Sequence, residues 1–311
     1  MSSLRARSLK DILTFTRSTT ATYFDIDGTL QTAAIDEPRI EYDPATGAVR
    51  GLLIEEARTN LLLNSDTLAT QSVTVTAVPH TLSFYGTGTV TLSGASTAGP
   101  LVGTGASDRV SLTFTPSAAS LTLTLSGSAT RAQLEAGPYA TSYIPTTSAA
   151  VTRAADVCIT SVLNPWFNED EGTFFCEFWI PWTYIAADTA ARRLIQADDN
   201  GGDAHIAAYL GGGNIIAEMY DDGASVASFN SGAFAPNTAL RQAYAWNENG
   251  AAVAATGGYF GTDSSVTLPS GVAILRLGSH SAAGSEPNGY IRKVKFYPRR
   301  LSDNELRALV A

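Results

Sequence analysis

Two kinds of residue in this 311-residue chain could do chemistry, and both gather in its second half. Asp198, Asp199, Asn200 and Asp203 share one short stretch, and Asp221 is followed by Asp222. Oxygen-rich loops of this kind suit a hard cation such as calcium. Asp, Asn and Gly are also what any tight turn recruits, so a cation site and a plain turn both remain open. Trp246 beside Asn247, and Tyr220 beside Asp221, set an aromatic face next to hydrogen-bonding groups. That is the combination a sugar site requires, although a tryptophan in such a run also fits a core position. Glycoside hydrolysis needs two carboxylates roughly 5 to 9 Å apart across a cleft. The nearest run, Glu169-Asp170-Glu171, alternates faces and precedes a glycine as a loop would. There is no Gly-x-Ser-x-Gly elbow, phosphate loop or His-Glu-x-x-His. No catalytic residue, enzyme activity or cofactor is expected. His80, His205 and His280 lie far apart, and two cysteines cannot complete a tetrahedral zinc site without histidine help. Cys176 falls in an apolar run and reads as a buried reduced thiol.

The bulk composition narrows the partners. With 20 basic against 29 acidic residues and a net charge of -9, the chain lacks the excess of Lys and Arg that tracks phosphates, so no nucleic-acid partner is expected. No window approaches the ~18 to 20 apolar residues of a membrane span, and the N-terminus has no apolar signal core. The expectation is a product made in the cytoplasm without membrane insertion. Only 16% of residues are charged, and small residues abound, as in short strands joined by tight turns.

Three regions must position these residues. Residues 1–64 begin with Leu4, Leu9, Ile12 and Leu13 at loosely helical spacing among Arg5, Arg7 and Lys10, which reads either as a docking peg or as a frayed terminus. Two hairpins follow, one turning at Asp27-Gly28 and one at a Pro/Gly turn in RIEYDPATGAVRG. FDIDGTL is similar to the first motif of haloacid-dehalogenase phosphatases, which would make Asp25 a nucleophile and Asp27 a general acid. The flanking TTATYF is half polar where that family needs a buried parallel strand, and no lysine occurs between Lys10 and Lys293. A hairpin tip, with the aspartates capping the turn, is the reading adopted.

Residues 65–148 alternate plainly, as in RVSLTFTP and SLTLTLSG, where Val110, Leu112 and Phe114, then Leu121, Leu123 and Leu125, share one face. Six short strands predict a small antiparallel jelly roll. In residues 149–311, GTFFCEFWIPWTY reads as a central strand apolar on both faces, and further strands follow up to GYIRKVKFY. Ser302 with Glu305 predicts a capping box that opens a short C-terminal helix. The fold class expected is all-β.

Three stretches carry family resemblances. FYGTGTVTLSG, RVSLTFTP and QLEAG resemble the carbohydrate-binding-like β-module of phage fibre and spike proteins. FCEFWI, LRLGS, GYIRKVKFY and RLSDNEL resemble, in that order, blocks of laminin-G-like and concanavalin A-like lectin domains. QLEAGPYATSYIPT followed by VTRAAD looks like a signature recurring in tailed-bacteriophage virion proteins. Together they imply a fibre or spike subunit located in the virion. Its N-terminal region would attach to other virion proteins, and its lectin-like domain would bind a host surface polysaccharide. A homo-oligomer, commonly a trimer, is implied by the resemblance alone. The alternatives are a purely structural decoration or connector protein and, third, a polysaccharide depolymerase. Pro138 and Pro145 fix φ and remove backbone donors, which predicts that Gln133 to Asp156 forms an extended, semi-rigid tether.

Overall fold

In the computed structural model, residues 11–186, 188–280 and 284–311 are described, so Leu4, Leu9 and the basic residues of the expected peg lie outside the described residues. Among the described residues the fold is all-β apart from one helix, Asp303–Val310. Two seven-stranded antiparallel sheets form the larger sandwich. From edge to edge, the first runs Thr14–Thr16, Val157–Thr160, Ile274–Leu277, Arg192–Asp198, His205–Gly211, Asn214–Asp221 and Ala224–Ala233. The second runs Tyr259–Asp263, Gly250–Ala255, Ala239–Asn247, Gly172–Trp179, Gly289–Tyr297, Val49–Ile54 and Ile40–Tyr42.

Period-two alternation explains the faces. Phe174, Cys176 and Phe178 point into the core with Leu194, Ile206, Ala217, Met219 and Trp246. Phe175, one position out of phase, packs with Ala243, Ala245, Ala252 and Ala254 beneath Leu301 and Leu306. The strand is apolar on both faces because the C-terminal helix covers its outer side. That helix opens with the capping box, in which Ser302 N-H donates to the Glu305 carboxylate at 2.7 Å and the Ser302 hydroxyl accepts from Glu305 N-H. Cys158 and Cys176 are free and buried, and burial pushes both thiols up, Cys158 to about 12.

The smaller sandwich packs the sheet Leu101–Val102, Thr89–Gly94, Ala119–Ser126 and Gln71–Val75 against the sheet Gly105–Phe114, His80–Gly86 and Ala129–Ala136. Leu82, Phe84, Val90, Leu121, Leu123 and Leu134 are completely enclosed in its core. Their Thr and Ser neighbours on the sheet of Leu121 face outward, as the Ser72–Thr122 hydroxyl pair at 2.8 Å illustrates.

The N-terminal hairpins do not stand apart. The strand Val49–Ile54 pairs with Gly289–Tyr297, and Thr14–Thr16 pairs with Val157–Thr160, so residues before 64 share both large sheets with residues after 149. An isolated hairpin is marginal in water, and sheet addition supplies the missing partners. The first hairpin turns at Asp27-Gly28, where the Asp25 carboxylate accepts from Asp27 N-H, Thr29 N-H and the Gln31 amide at 3.0, 2.9 and 2.7 Å. Those three donors hold Asp25 below the usual carboxylate range and make it a turn cap. Gly28 sits at φ +71°, and a Cβ there would lie 2.4 Å from the Pro44 carbonyl oxygen. Gly28→Ala should therefore cost about 1 to 3 kcal/mol, read as a lower thermal midpoint, whereas an unchanged midpoint would mean the two hairpins separate easily.

The expected tether is replaced by something tighter. Tyr139, Thr141, Tyr143, Ile144 and Thr146 are all buried, although only Val151–Arg153 of the following stretch joins a sheet. Gln133 explains why: its carbonyl accepts from Ile144 N-H at 2.7 Å, and its amide donates to Glu135 at 2.7 Å. Glu135 in turn accepts from the Thr141 N-H and hydroxyl at 2.8 and 2.7 Å. Polar side chains inside the signature satisfy its own backbone, so the segment folds back into the interior instead of spanning solvent.

Candidate functional site

The stretch Gln133 to Asp156 ends in a buried charge network. Asp156 accepts from Arg17 at 3.1 Å, from Arg39 at 2.6 Å and from Glu55 N-H at 2.9 Å. Glu55 pairs with Arg39 and Arg153, each at 2.9 Å, and accepts from the Ser142 N-H and hydroxyl at 2.6 and 2.7 Å. Burial pushes the Glu55 carboxyl up, but Arg153, Arg39 and Ser142 together outweigh it and bring the group down to about 2. Five charged groups from four sequence-distant places thus lock the N-terminal segment to the rest. Tyr139 extends the lock: its ring stacks on Trp182 with centroids 4.0 Å apart, and its hydroxyl donates to Asp188 at 2.5 Å.

Over this network opens a cleft of about 430 Å3. The second hairpin supplies Glu41, Asp43 and Arg50, the small sandwich Tyr85, Asp108 and Arg109, and the large sandwich Asn288 and Tyr290. Arg50 pairs with Asp43 at 2.9 Å, and Asp43 also accepts from the N-H groups of Ala45 and Thr46. Arg109 donates to the Thr141 carbonyl at 2.5 Å and to the Ser83 hydroxyl at 2.8 Å, while its Nε has no partner. Glu41 is only 6% exposed, and its Oε2 likewise has no partner. Burial and the nearby Glu55 charge push the Glu41 carboxyl up to about 7 against the pull of Arg39, Arg50 and Arg109. A buried acid pushed up in this way beside a polar cleft is a candidate binding group, and structural ion networks shift carboxyl groups by the same causes.

The residues singled out from sequence lie elsewhere. Trp246 is fully buried, with its indole N-H on the Glu169 carbonyl at 2.9 Å and its ring 5.4 Å from Phe174, so it has no face left for a sugar. This corrects the stacking role: Trp246 is in phase with Tyr244 on the inward side of its strand, and Asn247 serves the neighbouring turn by accepting from Asn249 N-H. Tyr220 and Asp221 belong to the other large sheet, where the Tyr220 ring, half-buried, stacks on His205 at 4.7 Å. The two aromatic pairs are therefore not brought together. The acidic cluster is also otherwise engaged. Asp198 is buried against Arg276 at 2.7 Å, and Arg276 also donates to the Asn200 side-chain oxygen at 2.7 Å. Asp199 accepts from Gly201 and Gly202 N-H at 2.9 and 2.7 Å, and Asp203 gives its carbonyl to Gly223 N-H. A guanidinium stands where a cation would sit, and among the described residues no group of three or more His, Cys, Asp or Glu side chains could hold a metal ion.

Glu41, Arg50, Arg109, Tyr85 and Tyr290 were missed by sequence reasoning. The one local sign was a glutamate at an inward strand position of RIEYD, beside a register shift between Glu41 and Tyr42.

No protein-family model matches the chain, and no curated protein matches it. Among solved structures, similar folds include the CBM40 of Ruminococcus gnavus IT-sialidase bound to α2,3 sialyllactose, at 19% identity over 46% of this chain and 83% of that one, TM-score 0.38. The botulinum neurotoxin type G receptor binding domain is 12% identical over 50% of this chain and 39% of that one, TM-score 0.38. Trypanosoma rangeli sialidase in complex with a difluoro-KDN is 15% identical over 45% of this chain and 22% of that one, TM-score 0.36. This chain spans well under half the length of the last two. Likenesses of this size transfer no residue role and no ligand.

Proposed function

We propose that the protein is a non-catalytic glycan-binding subunit of a tailed-phage virion, a fibre or spike component that takes a host-surface sugar in the cleft above the buried charge network. The observation that carries the binding role is the cleft itself: its volume suits a small polar ligand, and polar side chains from the second hairpin and from both sandwiches line it. The virion setting is supported by the QLEAGPYATSYIPT and VTRAAD signature, which supplies the residues that build the floor of the cleft and the network beneath it. Weak single sites would become useful through many copies on one particle, and a trimer would provide them. The N-terminal region would meet other virion proteins.

Binding of the full chain to an immobilised panel of bacterial surface glycans tests this reading. Arg50→Ala should weaken capture at least tenfold, and Tyr220→Ala should leave it unchanged. If Tyr220→Ala alone abolished capture, the outer face of the first large sheet would be the site instead. Absence of any binding would favour the second reading, a structural connector, which the Asp156 and Glu55 network supports by its rigidity. A depolymerase is the third. Both Asp43 oxygens are already engaged beside Glu41, and release of reducing ends from host capsule would nevertheless reveal hydrolysis.

A further inference from the structure

The wall of the cleft continues into an exposed basic strip. Along the strand Gly172–Trp179, Phe175 lies on the outer side beneath the C-terminal helix, so Glu177 and Trp179, two and four positions on, share that side. Their partners across the ladder share it too: Lys295 stands opposite Phe175, Lys293 opposite Glu177 and Tyr290 opposite Trp179. A register shift between Glu177 and Phe178 inserts Arg292 as an extra residue and turns it to the same side, where its guanidinium lies 5.5 Å from the centre of the Trp179 ring. Tyr290 lines the cleft, with the Arg50 guanidinium 5.9 Å from its ring centre. Arg50, Arg292, Lys293 and Lys295 therefore follow one another out of the cleft, over about 15 Å from Tyr290 to Lys295.

A ligand can reach these side chains. Arg292, Lys293 and Lys295 are exposed, and neither lysine forms an ion pair among the described residues. Glu177, on the same face, is shared between Arg241 at 3.2 Å and Arg292 at 3.6 Å, which leaves the strip positive. Residues 289–311 hold six basic side chains against two acidic ones in a chain of net charge -9, and Arg299 and Arg300 pair with the two acids. Inside the cleft the balance is reversed, because Glu41, Asp43 and Asp108 disfavour a carboxylate there. We infer that the ligand is an acidic polysaccharide that places an uncharged unit in the cleft and lays its following carboxylated units along Arg292, Lys293 and Lys295. This inference rests on the sugar-binding reading above and adds the ligand class and a second stretch of the site. Nucleic acid, with a phosphate on every unit, would set charge against Glu177 and the cleft carboxylates.

Surface plasmon resonance of the full chain over immobilised hyaluronate and alginate, with dextran as the neutral polymer and single-stranded DNA as a second polyanion, tests this. The expected result is capture of at least one acidic polysaccharide roughly tenfold or more tighter than dextran, weakening as salt rises from about 0.05 M to about 0.5 M. Lys293→Gln with Lys295→Gln should lower that affinity a few-fold, and Lys293→Glu with Lys295→Glu roughly tenfold, both with an unchanged thermal midpoint. Equal capture of dextran, or capture that ignores both lysine pairs, would overturn the acidic strip while leaving the cleft as a sugar site, and the lysines would then only guard a strand edge. DNA held as tightly as the best acidic polysaccharide would overturn the ligand class. No capture of any polysaccharide would overturn both the strip and the sugar-binding reading.

Discussion

Asp156→Ala should lower the stability of the protein by about 3 to 5 kcal/mol, the largest loss expected from any single truncation here. The aspartate is completely enclosed, and so are both arginines that converge on it, Arg17 and Arg39. Removing the carboxylate leaves Arg39 with Glu55 as its paired carboxylate beside the neutral acceptors of Thr22 and Ser142, and leaves Arg17 with only backbone carbonyl acceptors, from Thr19 and Ala34. It also strips the Glu55 N-H of its acceptor. An uncompensated buried cation loses its hydration with nothing in return, which is why breaking such a pair costs more than the pair is worth intact. Urea unfolding should show a lower midpoint. Because Arg17 and Arg39 belong to the N-terminal segment, limited proteolysis should cut first before residue 64. A variant as stable as the parent would mean that water reaches the network and that the lock is weak.

Glu41→Gln should stabilise the protein, and by an amount that grows with pH. The carboxyl ionises near its ordinary value of 4.5 in the unfolded chain and near 7 in the folded one, because burial and Glu55 disfavour its charge. A group whose folded value is raised favours the folded state fully below 4.5, and that contribution is lost as the pH rises through 7. From pH 4.5 to pH 8 the loss amounts to about 3 kcal/mol, and glutamine, which carries no proton to lose, escapes it. The stability gap between Glu41→Gln and the parent should therefore widen by about 3 kcal/mol over that interval, read from urea midpoints at the two ends. Parallel profiles would show Glu41 to be solvated and would remove the reason to regard it as a binding group. Glu55 on the same hairpin behaves in the opposite sense. Burial opposes its charge, but its partners lower it to about 2, so its contribution is present above 4.5 and is lost as the pH falls through 2.

Much of the architecture was legible. The SLTLTLSG alternation around Leu121 and Leu123, the doubly apolar GTFFCEFW, the Asp27-Gly28 turn and the Ser302 to Glu305 cap are all local patterns, and each corresponds to the element observed. The character of the Gln133 to Asp156 stretch was not legible. Two prolines suggested an extended tether, whereas Gln133, Glu135 and Asp156 turn the segment inward by satisfying its backbone and the arginines around it. Trp246 shows the same limit. Beside Asn247 it fits a sugar site and a core position equally in the sequence, and Phe174 and Phe296, from strands far away in the chain, enclose it.

By itself, then, the sequence determined the strands, their inward faces and the turns, because period-two alternation and positive-φ turns depend only on residues a few positions apart. Only the tertiary structure decided that the N-terminal hairpins complete the large sheets, that Arg276 closes the acidic loop, and that Glu41, Arg109 and Tyr290 wall one cleft. Those outcomes depend on which strand edges pair between distant parts of the chain, and on how burial and facing charges then act on each side chain, neither of which leaves a local pattern.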